Sequence, residues 1–191
     1  MVTYEQIKND EAVRAYIKKA DESLIALGYT EHSFAHVTKV SESAAYILET
    51  LGYSEREVEL VRIAGFLHDI GNLVNREEHS QSGAVMAFRI LDKMGMDPLE
   101  IATVVTAIGN HDEGNGVAVN PVSAALILAD KTDVRRSRVS NADVTKFDIH
   151  DRVNLAVNRS YIKVDNTEKV IYTVIETDDK ICSVSDYFEI Y

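Results

Sequence analysis

Cysteine, proline and long apolar runs are scarce in this sequence. Its 191 residues include one cysteine, Cys182, and two prolines. A single cysteine cannot form an internal disulfide, so we expect a reducing, cytoplasmic setting. No apolar run approaches the ~18 residues of a membrane span, and residues 1–6 lack the basic and apolar regions of a signal peptide. The sequence therefore predicts a cytoplasmic protein that does not bind a membrane.

Positive charge is scarce as well. The chain carries 20 lysines and arginines against 31 aspartates and glutamates, which gives a formal net charge of -11. An acidic surface repels a long phosphate backbone, so nucleic acid is not an expected partner. With 46% apolar residues, the chain can form one domain with a substantial core.

Helical periodicity dominates the greater part of the chain. Apolar residues recur at three- and four-residue spacing in six segments, 9–27, 34–51, 55–69, 80–94, 98–109 and 121–136. Ser54 with Glu57 is typical of a capping box, and Asp97-Pro98 is typical of a helix start. We therefore predict one helical domain over residues 1–159.

The pattern changes after about residue 160. Residues 169–175 and 181–185 are rich in β-branched and aromatic side chains, and 177–180 forms a plausible turn between them. We predict a β-hairpin extension over 160–191, with a role in packing or in subunit contact that would be compatible with a homo-oligomer. The last four residues are mostly apolar, from which we expect a buried terminus or a continuing chain.

Four histidines and two aspartates recur beside the helical segments. The pair His68-Asp69 lies in the mainly apolar segment 63–71, where an imidazole nitrogen and a carboxylate can reach one metal ion. Packed helices can direct six such side chains to a common centre. Six ligands exceed what one ion usually takes from a protein, so two ions that share Asp69 as a bridge fit the number better. The predicted ligands are His36, His68, Asp69, His79, His111 and Asp130.

The order of these residues, and the sequence around each, resembles the HD-domain superfamily of metal-dependent phosphohydrolases. The resemblance covers roughly residues 30–138. It implies an all-α fold, the HD-domain helical bundle, to which the small C-terminal β-hairpin is appended. The matching segments are His36-Val-Thr-Lys-Val40, Phe66-Leu-His-Asp-Ile-Gly71, Glu78-His-Ser-Gln-Ser-Gly-Ala84, Ile108-Gly-Asn-His-Asp-Glu-Gly114 and Ala129-Asp130.

His79 and His111 resemble the additional histidines of the dinuclear branch of this superfamily. That branch includes cyclic-dinucleotide phosphodiesterases of the HD-GYP type, dinucleoside polyphosphate hydrolases and some di-iron oxygenases. Asn72 stands where the HD-GYP group has lysine, Asn110 replaces the first of its paired histidines, and no Gly-Tyr-Pro follows. These departures argue against cyclic di-GMP as the substrate. The alternative is a mononuclear site in which His79 and His111 contact the substrate.

The resemblance implies hydrolysis at the metal centre. Two divalent ions can hold a bridging water, lower its pKa towards neutrality and direct hydroxide at a phosphorus atom. Asp69, His68 and Asp130 would then be catalytic residues as well as ligands. Nitrogen-rich ligation suits transition metals, with iron or manganese preferred and zinc, cobalt or nickel as alternatives. The expected partner is a small phosphorylated substrate, with a nucleotide preferred.

Candidate substrate contacts lie near both ends of the ligand series. The dense basic cluster 135–138 contains Arg135, Arg136 and Arg138. One of them can clamp a phosphate bidentately, Arg135 and Arg136 being preferred, with pairing to surface acids as the alternative. Lys131 follows the last ligand directly. His32 precedes the first ligand by one helical turn, where a cap or surface role is the alternative. The loop 110–120 can cover a substrate, and its Asp112 or Glu113 is a candidate general acid, although exposed loop acids usually have no chemical role.

Three functional hypotheses are consistent with this ligand series. The one we adopt is a metal-dependent phosphohydrolase that cleaves phosphoester or phosphoanhydride bonds of a small, nucleotide-like substrate. The second is a di-iron oxygenase of the HD fold, which would lose activity in anaerobic buffer. The third is a catalytically silent metal- or nucleotide-binding regulatory module, which would bind its ligand without forming product.

Overall fold

Helices make up most of the computed structural model, which describes residues 1–114, 116–141, 145 and 147–190. A small antiparallel hairpin near the C-terminal end completes the fold, so the prediction of an all-α bundle with a C-terminal β-hairpin is confirmed. The helices of the described chain are α1 (Tyr4–Asn9), α2 (Glu11–Ala26), α3 (Phe34–Thr50), α4 (Glu55–Leu67), α5 (His79–Lys93), α6 (Pro98–Gly109), α7 (Pro121–Thr132), α8 (Ile149–Ala156) and α9 (Val184–Ile190).

Local sequence determines where several helices begin. Ser54 and Glu57 form the capping box expected at the start of α4, with both reciprocal hydrogen bonds present. Asp97 caps α6 through its side chain, and Pro98 occupies the first turn. Asn120 caps α7 in the same way. All six predicted helical segments are therefore helices in the structure, with ends that differ from the prediction by a few residues.

Helix α4 is the centre of the bundle. Eight of its 13 residues are buried, and it packs against α1, α3, α6 and α7. Gly65 permits a close approach to α3, because a Cβ atom there would lie 2.8 Å from the Cα atom of Ser41. The carboxyl end of α4 is thereby held against the first half of α3, and the predicted ligands converge nearby.

The hairpin pairs different segments from those predicted. Strands β1 (Val157–Asp165) and β2 (Val170–Thr177) are antiparallel, with Asp165 opposite Val170. The prediction of a strand at 181–185 is wrong, because residues 184–190 form α9. Ser183 accepts a hydrogen bond from the backbone N–H of Asp186 and so favours a helix start over a strand. The domain boundary at 159/160 stays a prediction, and β1 already begins at Val157.

The C-terminal elements have a small core of their own. Ile190 and Cys182 pack with buried residues of α8 and with Val157. Phe188 is 72% exposed, so the expected burial of the last residues holds for Ile190 and not for Phe188. Tyr191 lies outside the described residues. None of the described helices is both long enough and apolar enough to cross a bilayer.

Candidate metal centre

Five helices place one end each at a common centre. The ligand positions predicted from the sequence lie in the first turn of α3, directly after α4, at the start of α5, just after α6 and in the last turn of α7. Five of the six side chains are buried, and the sixth, that of Asp130, is 12% exposed. The structure thus brings together His36, His68, Asp69, His79, His111 and Asp130.

One half of the centre is formed by two imidazoles and two carboxylates. The Nε2 atoms of His36 and His68 lie 3.3 Å apart. Asp69 Oδ2 lies 3.3 and 3.2 Å from these two nitrogens, and Asp130 Oδ1 lies 3.3 and 3.5 Å from them. Four potential ligand atoms therefore surround one point.

The other half is formed by the two remaining histidines. The Nε2 atoms of His79 and His111 lie 3.2 Å apart. Asp69 Oδ1 lies 3.5 Å from the first and 3.9 Å from the second. Each carboxylate oxygen of Asp69 therefore faces a different pair of imidazoles.

The hydrogen bonds of the imidazoles determine which ring nitrogen faces the centre with a lone pair. Nδ1 of His68 lies 2.7 Å from the carbonyl oxygen of Gly65, and Nδ1 of His111 lies 2.6 Å from that of Ile108. Nδ1 of His79 is bonded to a carbonyl oxygen in the same way. A carbonyl oxygen only accepts, so Nδ1 carries the proton and Nε2 of the neutral ring is unprotonated. This is the tautomer that metal-ligating histidines use.

The arrangement fits a bound cation. Asp69 Oδ2 is fully buried, and no donor among the described residues gives it a hydrogen bond. Buried polar atoms are almost always paired, and an isolated buried carboxylate is costly. The neutral Nε2 atoms of His79 and His111, which face one another at 3.2 Å, also lack a donor between them. A metal ion would satisfy all of these atoms at once, and nitrogen-rich ligation suits a divalent transition metal.

Charge–charge interactions hold the carboxylates ionised. Burial favours the protonated form of Asp69, but His68 and the neighbouring imidazoles hold its pKa well below the usual range. Burial also opposes the charge on His68, yet Asp69 and Asp130 raise its pKa to about 10. Burial, followed by the charge on His68, lowers the pKa of His111 to about 3. The centre therefore combines ionised carboxylates with at least one neutral imidazole at physiological pH.

The comparisons with known proteins agree with this geometry. The sequence profile of the HD domain family matches residues 33–152, well over half of the chain and all six converging side chains. This chain belongs to the HD domain family. The HD domain is typical of metal-dependent hydrolases.

Two further similarities are more distant. The uncharacterized protein MJ1020 of Methanocaldococcus jannaschii is 24% identical over 92% of this chain and 76% of its own length. The crystal structure of a predicted HD superfamily hydrolase from an uncultured Thermotogales bacterium is 23% identical and has a TM-score of 0.49, over 71% of this chain and 75% of that one.

Three residues of this HD domain hold the predicted ligands in place. Asp133 Oδ2 accepts a hydrogen bond of 2.8 Å from Nδ1 of His36. Burial alone would raise the pKa of Asp133, but His36 outweighs this effect and the pKa is lowered to about 2. Lys131 donates to Asp130 Oδ2 at 2.7 Å, so Oδ1 is left for the centre. The side-chain amide of Asn72 donates to Asp69 Oδ1 at 3.1 Å.

A cavity of about 90 Å³ opens onto the second half of the centre. Lys131 and His32, two of the predicted substrate contacts, line it. Arg135 and Arg136 do not line it: Arg135 bonds to Asp133 and Glu31, and Arg136 bonds to Asn158. The cavity is lined by Tyr29, Thr30, His32, Asp69, Arg76, His79, His111, Asp112, Glu113, Asp130, Lys131, Arg138 and His150.

One arginine of this cavity, Arg76, was not among the predicted substrate contacts, whereas Arg138 belongs to the predicted basic cluster 135–138. Arg138 is buried and donates to the carbonyl oxygens of Glu31 and Asp133. Arg76 lies three residues before His79, a proximity in sequence that could have drawn attention to it. Its side chain lines the cavity, and Glu78, between Arg76 and His79, adopts a left-handed backbone conformation with φ of 56°.

The loop after α6 contributes two acidic side chains to the cavity. Asp112 Oδ1 lies 4.0 Å from Nε2 of His79. Glu113 forms an ion pair with Lys131, so it is already bonded to a cation. Asn115, in the middle of this loop, lies outside the described residues. The general-acid role suggested for Asp112 or Glu113 stays a prediction.

Proposed function

We propose that this HD domain holds two divalent transition-metal ions and hydrolyses phosphoester or phosphoanhydride bonds of a small substrate. The preferred substrate class is a nucleotide. The observation that carries the proposal is the position of Asp69. Its two oxygens face separate pairs of imidazoles, at 3.2–3.3 Å and at 3.5–3.9 Å. A carboxylate placed in this way suits two ions that share a ligand, as in two-metal hydrolytic sites.

The side chains of the chain have distinct roles in this proposal. His36, His68 and Asp130 would hold one ion, and His79 with His111 would hold the other, with Asp69 between them. When bound, the ions supply Lewis acidity, which lowers the pKa of water and offsets negative charge on a phosphoryl group.

Other residues keep these ligands in position. Asp133 fixes the orientation of His36 by a hydrogen bond of 2.8 Å, and Lys131 fixes that of Asp130 by one of 2.7 Å. Side chains that are preorganised in this way need no rearrangement during the reaction. The proposed ligands therefore require little reorganisation to bind the ions.

The cavity supports a small, anionic substrate. Arg76, Lys131 and Arg138 line it, although the chain as a whole is acidic. Tyr29 lines the same cavity, and an aromatic side chain beside a phosphate site is compatible with a nucleotide. A volume of about 90 Å³ beside the proposed ligands is compatible with a phosphoryl group.

The test is a hydrolysis assay with metal-loaded protein. Protein reconstituted with manganese or with iron(II) is incubated with nucleoside mono-, di- and triphosphates, dinucleoside polyphosphates and bis-p-nitrophenyl phosphate, and released phosphate or nucleotide is measured. We expect turnover that Asp69→Ala abolishes and that Arg136→Ala, a change outside the cavity, leaves intact. Turnover that persists under argon distinguishes hydrolysis from the oxygenase hypothesis. Binding of a nucleotide without any product would instead support the silent regulatory module and contradict the proposal.

A further inference from the structure

Arg76 contacts both ring nitrogens of one proposed ligand. Its carbonyl oxygen accepts a hydrogen bond of 3.1 Å from Nδ1 of His79. Its guanidinium Nη1 lies 3.4 Å from Nε2 of the same ring, the nitrogen that faces the centre. The backbone of Arg76 therefore orients the imidazole, whereas its side chain donates to the lone pair that a metal ion would take.

The other cations of the cavity are already bonded to oxygen atoms of the protein. Lys131 lies between the carboxylates of Asp130 and Glu113. Arg138 donates to two backbone carbonyl oxygens. Arg76, by contrast, forms no ion pair with any carboxylate of residues 1–114, 116–141, 145 and 147–190, although Asp69 and Asp112 line the same cavity.

We propose that Arg76 is a phosphate clamp, and that its guanidinium binds oxygens of the phosphoryl group beside the second ion. This inference rests on the proposed metal site. A metal ion at Nε2 of His79 removes the acceptor of the guanidinium, which is left in the cavity with several donors. A guanidinium matches two oxygens of a phosphate in a planar, bidentate geometry. The guanidinium of Arg76 lies 5.9 Å from the centroid of the Tyr29 ring, so this ring contacts it from the wall of the cavity.

The clamp and a purely structural role differ in what Arg76→Ala should do. If the side chain only supported His79, its removal would loosen the ligand and reduce metal binding. The structure assigns that support to the carbonyl group, which alanine retains. Because the guanidinium competes with a metal for Nε2, its removal should leave metal affinity equal or higher.

The test is calorimetric titration of manganese-loaded protein with inorganic phosphate, with metal content measured on the same samples. A hydrogen-bonded ion contact contributes about 1.5–3 kcal/mol, so we expect Arg76→Ala to weaken phosphate binding about 10- to 100-fold without loss of metal. Arg76→Lys, which keeps the charge and loses the bidentate geometry, should fall between. Arg136→Ala is the matched control, because that side chain bonds to Asn158 outside the cavity, and it should bind phosphate as the parent does.

Three results would overturn the clamp: phosphate binding unchanged in Arg76→Ala, loss of metal in that variant, or no phosphate binding by the loaded parent. The assay measures binding and not turnover. If no substrate were hydrolysed but Arg76→Ala still lost phosphate affinity, the proposed function would fail and the clamp would stand. If hydrolysis occurred and phosphate affinity did not change, the reverse would hold.

Discussion

Replacing Gly71 by alanine should separate the two halves of the metal centre. Gly71 lies in the short 3-10 turn Ile70–Leu73, which is packed directly on the first turns of α5. A Cβ atom at this position would lie 2.0 Å from the carbonyl oxygen of His79, 2.4 Å from the backbone nitrogen of Gly83 and 2.6 Å from Ser82 Oγ. Ordinary contact begins at 3.4 Å, so the first of these distances is short by about 1.4 Å.

The nearest atoms belong to the helix backbone, so rotation of a side chain cannot relieve the clash. Overpacking of this kind costs about 1–3 kcal/mol of unfolding free energy. The turn that must move follows Asp69 directly, and the helix that must move begins at His79. These two side chains now lie 3.5 Å apart. A displacement of about 1 Å within a catalytic site can cost about 100-fold in rate.

Urea unfolding and cobalt(II) titration test this prediction together. Gly71→Ala should lower the free energy of unfolding and weaken cobalt binding at the proposed ligands His79 and His111. Gly109→Ala is the matched control, because a Cβ atom there would meet only the Cβ atom of Ala84, at an ordinary 3.6 Å. Equal stability and equal cobalt binding in the two variants would refute the reasoning about this close approach.

Three other changes test the centre and its surroundings. Asp133→Asn, which removes the carboxylate that orients His36, should weaken metal binding about 10- to 100-fold in a chelator competition assay, and unchanged affinity would contradict this role. Burial opposes the charge on His68, but neighbouring carboxylates raise its pKa to about 10. A metal ion must therefore displace a proton from His68, so metal affinity should rise with pH between 6 and 9. His111, whose pKa burial lowers to about 3, should release no proton in that range, and calorimetry in buffers of different ionisation enthalpy counts the protons released. Burial raises the pKa of Cys182 to about 11, so only about 0.1% of this thiol is ionised at pH 8. Alkylation by iodoacetamide should therefore be far slower in the native than in the urea-unfolded protein, and equal rates would contradict the burial of the thiol.

The long helices could be predicted from the sequence because their determinants are local. Periodic apolar residues give each helix its buried face, and Ser54, Asp97 and Pro98 specify two of the helix starts within a few residues. The six converging side chains could be proposed because each is flanked by a recognisable segment at the end of such a helix. Their order in the sequence was sufficient to group them and to predict Asp69 as a bridge, whereas the distances from its two oxygens to the imidazoles depend on how the helices pack.

The elements that were missed depend on contacts distant in sequence. Residues 170–177 have the composition of a strand, but their partner is 157–165 and not 181–185, because strand pairing is decided by register and turn geometry. In the turn, Asp165 accepts hydrogen bonds from the backbone N–H groups of Thr167 and Glu168. The sequence also did not predict in which direction the long side chains point.

Arg136 and Arg138 illustrate this limit within a single basic cluster. Arg138 lines the cavity, whereas Arg136 points to Asn158 outside it. In the sequence, both are arginines of the same basic cluster, so the sequence offers the same reason to expect a phosphate contact from each. Only the packing of the short 3-10 turn Arg136–Arg138 separates their roles.

The most direct test of the central proposal is the number of ions bound per chain. Protein purified without added metal is loaded with manganese, desalted and analysed by mass spectrometry of the metal. The parent should hold about two ions, the double variant His79→Ala with His111→Ala about one, and Asp69→Ala fewer than either the parent or the double variant. A parent with one ion, and a double variant with the same one, would show that His79 and His111 are not ligands and would contradict the dinuclear centre.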